Sequence, residues 1–189
     1  PTGAKLIVNV ATADDTSSYQ YVMNTQTGAW TKYTGWTAFI FEVAKDTLWM
    51  GGSGVMVKAD SGTYDGATSI TTDLRQAYNY YGSRGYAKHM KLLRPVIAVD
   101  GTFQLGIHID VDYEQRDSVP MRTISGGSGD PWGGIWDVTW SGSPASQTRW
   151  YGVTGIGHAI ATRIRTVTGG VSLSWSATDA VYERGGIVA

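Results

Sequence analysis

Leu105-Gly106-Ile107-His108-Ile109-Asp110-Val111-Asp112 alternates without a break. Leu105, Ile107, Ile109 and Val111 fall on one side, and Gly106, His108, Asp110 and Asp112 on the other. That is the two-residue period of a strand with one buried face. The period recurs around it. Residues 135–140 place Trp136, Val138 and Trp140 together, and residues 156–167 set His158, Ile160, Thr162 and Ile164 against Ala159, Ala161, Arg163 and Arg165. Behind a Gly169-Gly170 turn, Val171, Leu173 and Trp175 alternate with Ser172, Ser174 and Ser176. Residues 90–99 are apolar and end at Asp100-Gly101, a dipeptide of two-residue hairpins that would set Gly101 at positive φ. Residues 70–80 read as a long strand, although 73–80 alone could form two turns of helix. Residues 125–134 are Gly-rich and loop-like. Regularly spaced strands of this kind predict a β-sandwich or jelly roll over residues 65–189.

Toward the N-terminus the strand candidates shorten. Residues 6–10 form one, and 19–24 and 30–33 flank Asn24-Thr25-Gln26-Thr27-Gly28-Ala29, a hairpin connection with Gly28 at positive φ. Residues 38–44, a Lys45-Asp46 turn, Leu48-Trp49-Met50, and a Gly51-Gly52-Ser53-Gly54 turn into 55–59 continue the series. This is an antiparallel meander, the pattern of a propeller blade. Composition shifts at Asp60-Ser61-Gly62-Thr63-Tyr64-Asp65-Gly66. The expected architecture is therefore all-β: a blade-like, propeller-related meander over residues 1–64 and a sandwich over 65–189. Strand-like sequence begins almost at once, as if the chain were the C-terminal portion of a longer protein.

Composition agrees with many short strands and tight turns. Glycine supplies 25 of 189 residues, against a usual ~7%. Charged residues are 16%, against ~25%. With 42% apolar residues and a net charge of −1 the chain can bury a core, which excludes disorder. A pI near 6.3 supplies no global positive field for general nucleic-acid binding. The absence of cysteine removes disulfides, thiolate metal sites and cysteine nucleophiles together. No apolar run of eighteen residues is present, so no membrane contact is expected.

Chemistry is sparse. His108, Asp110 and Asp112 share one strand face and could hold a divalent ion or activate water. No fourth ligand stands at a recognisable spacing, so the trio reads as the polar face of a half-exposed strand, without metal. Gly51-Gly52-Ser53-Gly54-Val55 lacks the last glycine of a nucleophile elbow and lies between strands, and Gly127-Ser128-Gly129 has no elbow context. His89, His108 and His158 are three possible bases, and no sequence motif ties any of them to a nucleophile. Among sixteen carboxylates no ordered motif singles out a glycosidase pair. No glycine-to-helix phosphate motif follows any strand. The expectation is no enzyme, no catalytic residue and no cofactor. Trp132, Trp136, Trp140, Trp150 and Trp175 could stack on sugar rings, but sheet-spaced tryptophans more naturally mark a core or a subunit-facing surface. Arg163 and Arg165 project together toward solvent, another subunit or an anion.

Several stretches resemble a known family. They are Tyr21-Val22-Met23-Asn24-Thr25-Gln26-Thr27-Gly28-Ala29-Trp30-Thr31-Lys32-Tyr33-Thr34-Gly35-Trp36, Asp46-Thr47-Leu48-Trp49-Met50-Gly51-Gly52 and Val57-Lys58-Ala59-Asp60-Ser61-Gly62. Gln76-Ala77-Tyr78-Asn79-Tyr80-Tyr81-Gly82, Lys91-Leu92-Leu93-Arg94-Pro95, Trp136-Asp137 and Tyr182-Glu183-Arg184-Gly185-Gly186 extend the likeness over most of the chain. Together they resemble the C-terminal part of the tail nozzle, or packaged DNA stabilisation, proteins of short-tailed bacteriophages. The resemblance implies a propeller or part of one, followed by further β structure, in a virion tail component assembled in the host cytoplasm. It also implies a homo-oligomeric ring, six-fold by family likeness, around the DNA exit channel. Portal, adaptor and other tail proteins would be its neighbours. DNA contact would be weak, and the role mechanical. The alternative is a sandwich that binds a host surface glycan.

Overall fold

The computed structural model describes residues 4–13, 16–52, 54–115, 120–125, 145–147 and 149–186. Among these the regular elements are all strands. The first six are β1 (Lys5–Ala11), β2 (Ser18–Asn24), β3 (Trp30–Tyr33), β4 (Ile40–Ala44), β5 (Thr47–Gly52) and β6 (Val55–Lys58). Then come β7 (Ile70–Arg75), β8 (Lys88–Val99), β9 (Phe103–Val111) and β10 (Arg122–Ile124). The last are β11 (Ala145–Gln147), β12 (Tyr151–Gly157), β13 (Ile160–Thr168) and β14 (Leu173–Arg184). They form four antiparallel sheets, none closed into a barrel. The helix considered for residues 73–80 is not formed; β7 occupies its start.

The chain divides into two compact units, Pro1–Ser61 and Gly62–Ala189. The division falls at Ser61 rather than after Tyr64, because residues 62–64 pack with the second unit. The Gly170 N–H donates to the Thr63 carbonyl, and the Tyr64 ring lies so close to Gly170 that a Cβ there would strike it.

In the first unit the meander is built as two three-stranded sheets, β1-β2-β3 and β4-β5-β6. The β2–β3 hairpin turns where expected: Asn24 Oδ1 accepts the N–H of Gln26 and Thr27, and Gly28 takes φ +71°. Lys45 and Asp46, at φ 50° and 55°, form the two-residue left-handed turn that matches strand twist between β4 and β5. Between β3 and β4 the ladder is interrupted because side chains take the backbone groups. Ser18 Oγ lies 3.0 Å from the carbonyls of both Trp36 and Ala38, Gln20 Nε2 donates to Trp36 and Asn9 Nδ2 to Ala38. Ser18 and Gln20 are buried as a result.

The second unit is a sandwich. One sheet runs β10-β9-β13-β7. In the other, β14 follows β8 along its whole length, so β12 and β11 lie end to end on the opposite edge of β8. The core between the sheets takes Met90, Leu93, Ile97 and Val99 from β8 and Tyr151 and Val153 from β12. Phe103, Leu105 and Ile109 of β9 and Ile160 and Ile164 of β13 come from the facing sheet. On β8 the inward set shifts phase at Lys91, the extra residue of a bulge opposite Val181 and Tyr182.

Two turn expectations are corrected here. Asp100-Gly101 is not a hairpin: β8 and β9 belong to different sheets, and the dipeptide carries the chain from one layer to the other. Gly101 accordingly does not take positive φ; Val171 is instead its close neighbour, 3.1 Å from where a Cβ would stand. Residues 156–167 are likewise not one strand. The chain turns at His158-Ala159, leaving β12 in one sheet and β13 in the other.

Candidate functional site

Two features could carry function: a covered polar cluster on the sandwich and the outward faces of the first unit. The cluster begins with β9, whose alternation puts His108 and Asp110 on the face of the sheet away from the core. That face was expected to be half-exposed. Instead His108 is 9% and Asp110 0% exposed. Beside β13, residues 76–79 prolong β7 past its end: Gln76 N–H donates to Thr162, and Asn79 pairs with Ile160 in both directions. Asp110 then has Arg75 Nη1 and His108 Nε2 each at 3.6 Å from its carboxylate.

Tyr78 closes the cluster, its ring centroid 4.3 Å from that of Tyr113, whose hydroxyl meets the Tyr80 hydroxyl at 3.1 Å. The Tyr78 hydroxyl is buried and has no hydrogen-bond partner among the described residues. Burial lifts its phenol above the ordinary range, with the Asp110 charge adding to the rise and Arg75 opposing it. Beside it, Arg163 grips Asp73 through two nitrogens at 2.8 Å.

Asp112 does not join. It sits at φ 49°, and its Oδ1 accepts the N–H groups of both His158 and Ala159 at 2.8 Å, pinning the β12–β13 turn. Among the described residues no group of three His, Asp or Glu side chains could hold a metal ion. His89 and Lys91 face Glu183, with Lys91 Nζ at 3.1 Å. The arrangement fastens residues 76–79 to the sheet.

Of the tryptophans weighed for stacking, Trp175 packs against the core and donates its Nε1 proton toward Ala177 O and Thr178 Oγ1. Trp150 has the Arg94 guanidinium 4.8 Å over its ring. Trp132, Trp136, Trp140 and the strand expected at 135–140 lie outside the described residues, as do Ser53 and residues 127–129.

The first unit shows the opposite imbalance. On the β1-β2-β3 sheet the polar face is the covered one, around Ser18 and Gln20. The other face carries Leu6, Val8 and Val10 of β1, Tyr19, Tyr21 and Met23 of β2, and Trp30 and Lys32 of β3, with the Lys32 ammonium 4.0 Å over the Tyr19 ring. Leu6 is 45%, Tyr21 41% and Trp30 56% exposed. On β4-β5-β6, Phe41, Val43, Leu48, Met50, Val55 and Val57 share a face, with Val43 and Val55 more than 60% exposed. Both sheets of this small unit thus leave large apolar side chains in water, the kind of surface that marks interaction sites when contiguous. Sequence reasoning found these strands but not the exposure of their faces. It also missed Asp73, Arg75 and Tyr78, whose signal was the alternation of Asp73 and Arg75 about Leu74.

Neither protein-family models nor curated protein sequences give a match to this chain.

Proposed function

We propose that this chain is a structural subunit of a bacteriophage tail, working in a homo-oligomeric ring about the DNA exit channel beside portal, adaptor or other tail proteins. One observation carries the reading: both three-stranded sheets of the first unit keep an apolar face in water, as a module completed by its neighbours would. Cyclic symmetry supplies the axial hole that a conduit needs. Without cysteine, packing and strand pairing must hold such contacts. A near-neutral chain lets duplex DNA pass with weak contact only. The buried polar cluster, in this reading, locks the sandwich and has no catalytic task. The glycan-binding alternative has Arg94 over the Trp150 ring and the Trp175 indole N–H directed to Ala177 and Thr178 standing against it.

The test is the place and copy number of the chain in an intact particle. Cryo-electron microscopy with quantitative mass spectrometry should find it in several copies on the tail axis. A single copy, or a position in the shell away from that axis, would overturn the reading.

A further inference from the structure

Among the described residues the two sheets of the sandwich differ in width. Four strands stand side by side in β10-β9-β13-β7, and three in the facing sheet, where β12 and β11 share one edge of β8. β7 is left incompletely covered. Ile70, Thr72 and Leu74 pair with Thr168, Thr166 and Ile164 and so face inward, yet Ile70 and Leu74 stay 37% and 38% exposed. Beneath them a cleft of about 430 Å³ opens, walled across by Leu173 and Trp175 of β14. Among the described residues no strand pairs with the outer edge of β14, so its backbone groups there form a template for one more strand.

We infer that the missing strand is β1 of a second copy of this chain, added along the free edge of β14. This rests on the assembly reading above and names the contact within it. Length selects β1: β7 spans six residues, and of the four edge strands in the first unit only β1, with seven, reaches that span, against four, five and four for β3, β4 and β6. Pattern agrees. Leu6, Val8 and Val10 recur every second residue without a charge among them, the spacing of Ile70, Thr72 and Leu74 across the cleft. Area excludes a lone donated peptide: a stable interface needs about 800 Å² per partner, which one short strand does not supply. β1 arrives with the rest of its sheet, bringing the exposed Tyr21 and Trp30 to the same contact. The strand and the cleft are different surfaces of the chain, so the contact is heterologous and builds a ring where the rotation between copies closes.

The cysteine-free sequence allows a clean test. Val8→Cys and Leu74→Cys chains are prepared separately, mixed at high concentration and treated with a short bis-maleimide, with Val43→Cys replacing Val8→Cys as comparator. All three positions are exposed, so folding is spared. A Val8–Leu74 adduct between chains at least fivefold above the Val43–Leu74 adduct is expected, together with slower amide exchange along β14 at high than at low protein concentration. Equal yields, or β14 exchange that does not depend on protein concentration, would overturn the inference. If rings form while the Val8–Leu74 adduct is absent, the contact is wrong and the assembly reading stands. If neither rings nor adducts form and the chain is missing from the tail axis, both fall.

Discussion

Arg163 holds Asp73 across adjacent strands with Nε on Oδ1 and Nη2 on Oδ2, both at 2.8 Å. The hydrogen bonds from Arg163 keep the Asp73 carboxyl below its ordinary range, against a smaller opposing effect of burial. A carboxylate whose folded-state pKa is depressed contributes stability that is complete above the unfolded value of ~3.9 and lost as pH falls through the folded value. Asp73→Asn should therefore lower the urea midpoint at pH 7, and the gap from wild type should close as pH is taken below 3. A gap independent of pH would show that the pair does not act through its charge.

Tyr78 offers a test in the opposite direction. Its hydroxyl is buried and unpartnered among the described residues, so deleting it removes a desolvation cost and leaves the ring packing in place. Tyr78→Phe should raise stability by about 1 kcal/mol in chemical denaturation. A loss of similar size would mean that the hydroxyl is satisfied in solution.

Asp112 is a turn residue in this structure. Asp112→Ala strips acceptors from the His158 and Ala159 amides and places alanine at φ 49°, which should cost about 2 kcal/mol. Asp112→Asn keeps an acceptor and tolerates the left-handed backbone, so it should recover at least half of that. Equal losses for the two would exclude the hydrogen bonds as the cause.

Gly28 and Gly101, alike in sequence reading, should now part company. Gly28 sits at φ +71° in open space, so Gly28→Ala should cost about 1 kcal/mol through backbone strain alone. At Gly101 the backbone is unstrained and the obstacle is Val171. The double change Gly101→Ala with Val171→Ala should then be less destabilising than the two single costs added. Additive behaviour would sink that account.

Lys88 is 1% exposed, and its ammonium is held by the carbonyls of Ser83 and His158. Lys88→Ala leaves those carbonyls and a cavity behind and should cost about 3 kcal/mol. Lys91→Ala, which removes an exposed contact with Glu183, should cost under about 1 kcal/mol. Thermal unfolding of the two variants side by side decides it.

Much of the local structure was legible. Unbroken alternation over residues 105–111 marks β9, and Lys45-Asp46 marks its turn, because strand period and turn chemistry are carried by neighbouring residues. What failed depended on residues far away. Asp100-Gly101 has hairpin chemistry, but whether the chain folds back or crosses to the facing sheet is decided by which strands lie beside β8, namely β12 and β14. His108 and Asp110 follow an outward period correctly, yet both are buried, and the Arg75 and Tyr78 side chains gathered about Asp110 come from more than thirty positions earlier. In the first unit, Leu6, Val8 and Val10 announce a strand with an apolar face. Which face is covered was set by Ser18, Gln20 and Asn9 capturing the carbonyls of residues 36 and 38, and nothing in the period of β1 reports that.

The repeated crossing between layers has a kinetic consequence. β7 to β8, β8 to β9, β12 to β13 and β13 to β14 each pass from one sheet to the other, so in these steps a new strand cannot zip onto the strand just made. β8 acquires its longest partner only when residues 173–184 arrive, some ninety residues later on a growing chain. Such distant closure is slow. β1 to β6, by contrast, close through hairpins within their own sheets. During synthesis the first unit is therefore ready while the edges of β8 are still bare, and the nascent second unit is the part of this protein most exposed to mispairing and most in need of protection.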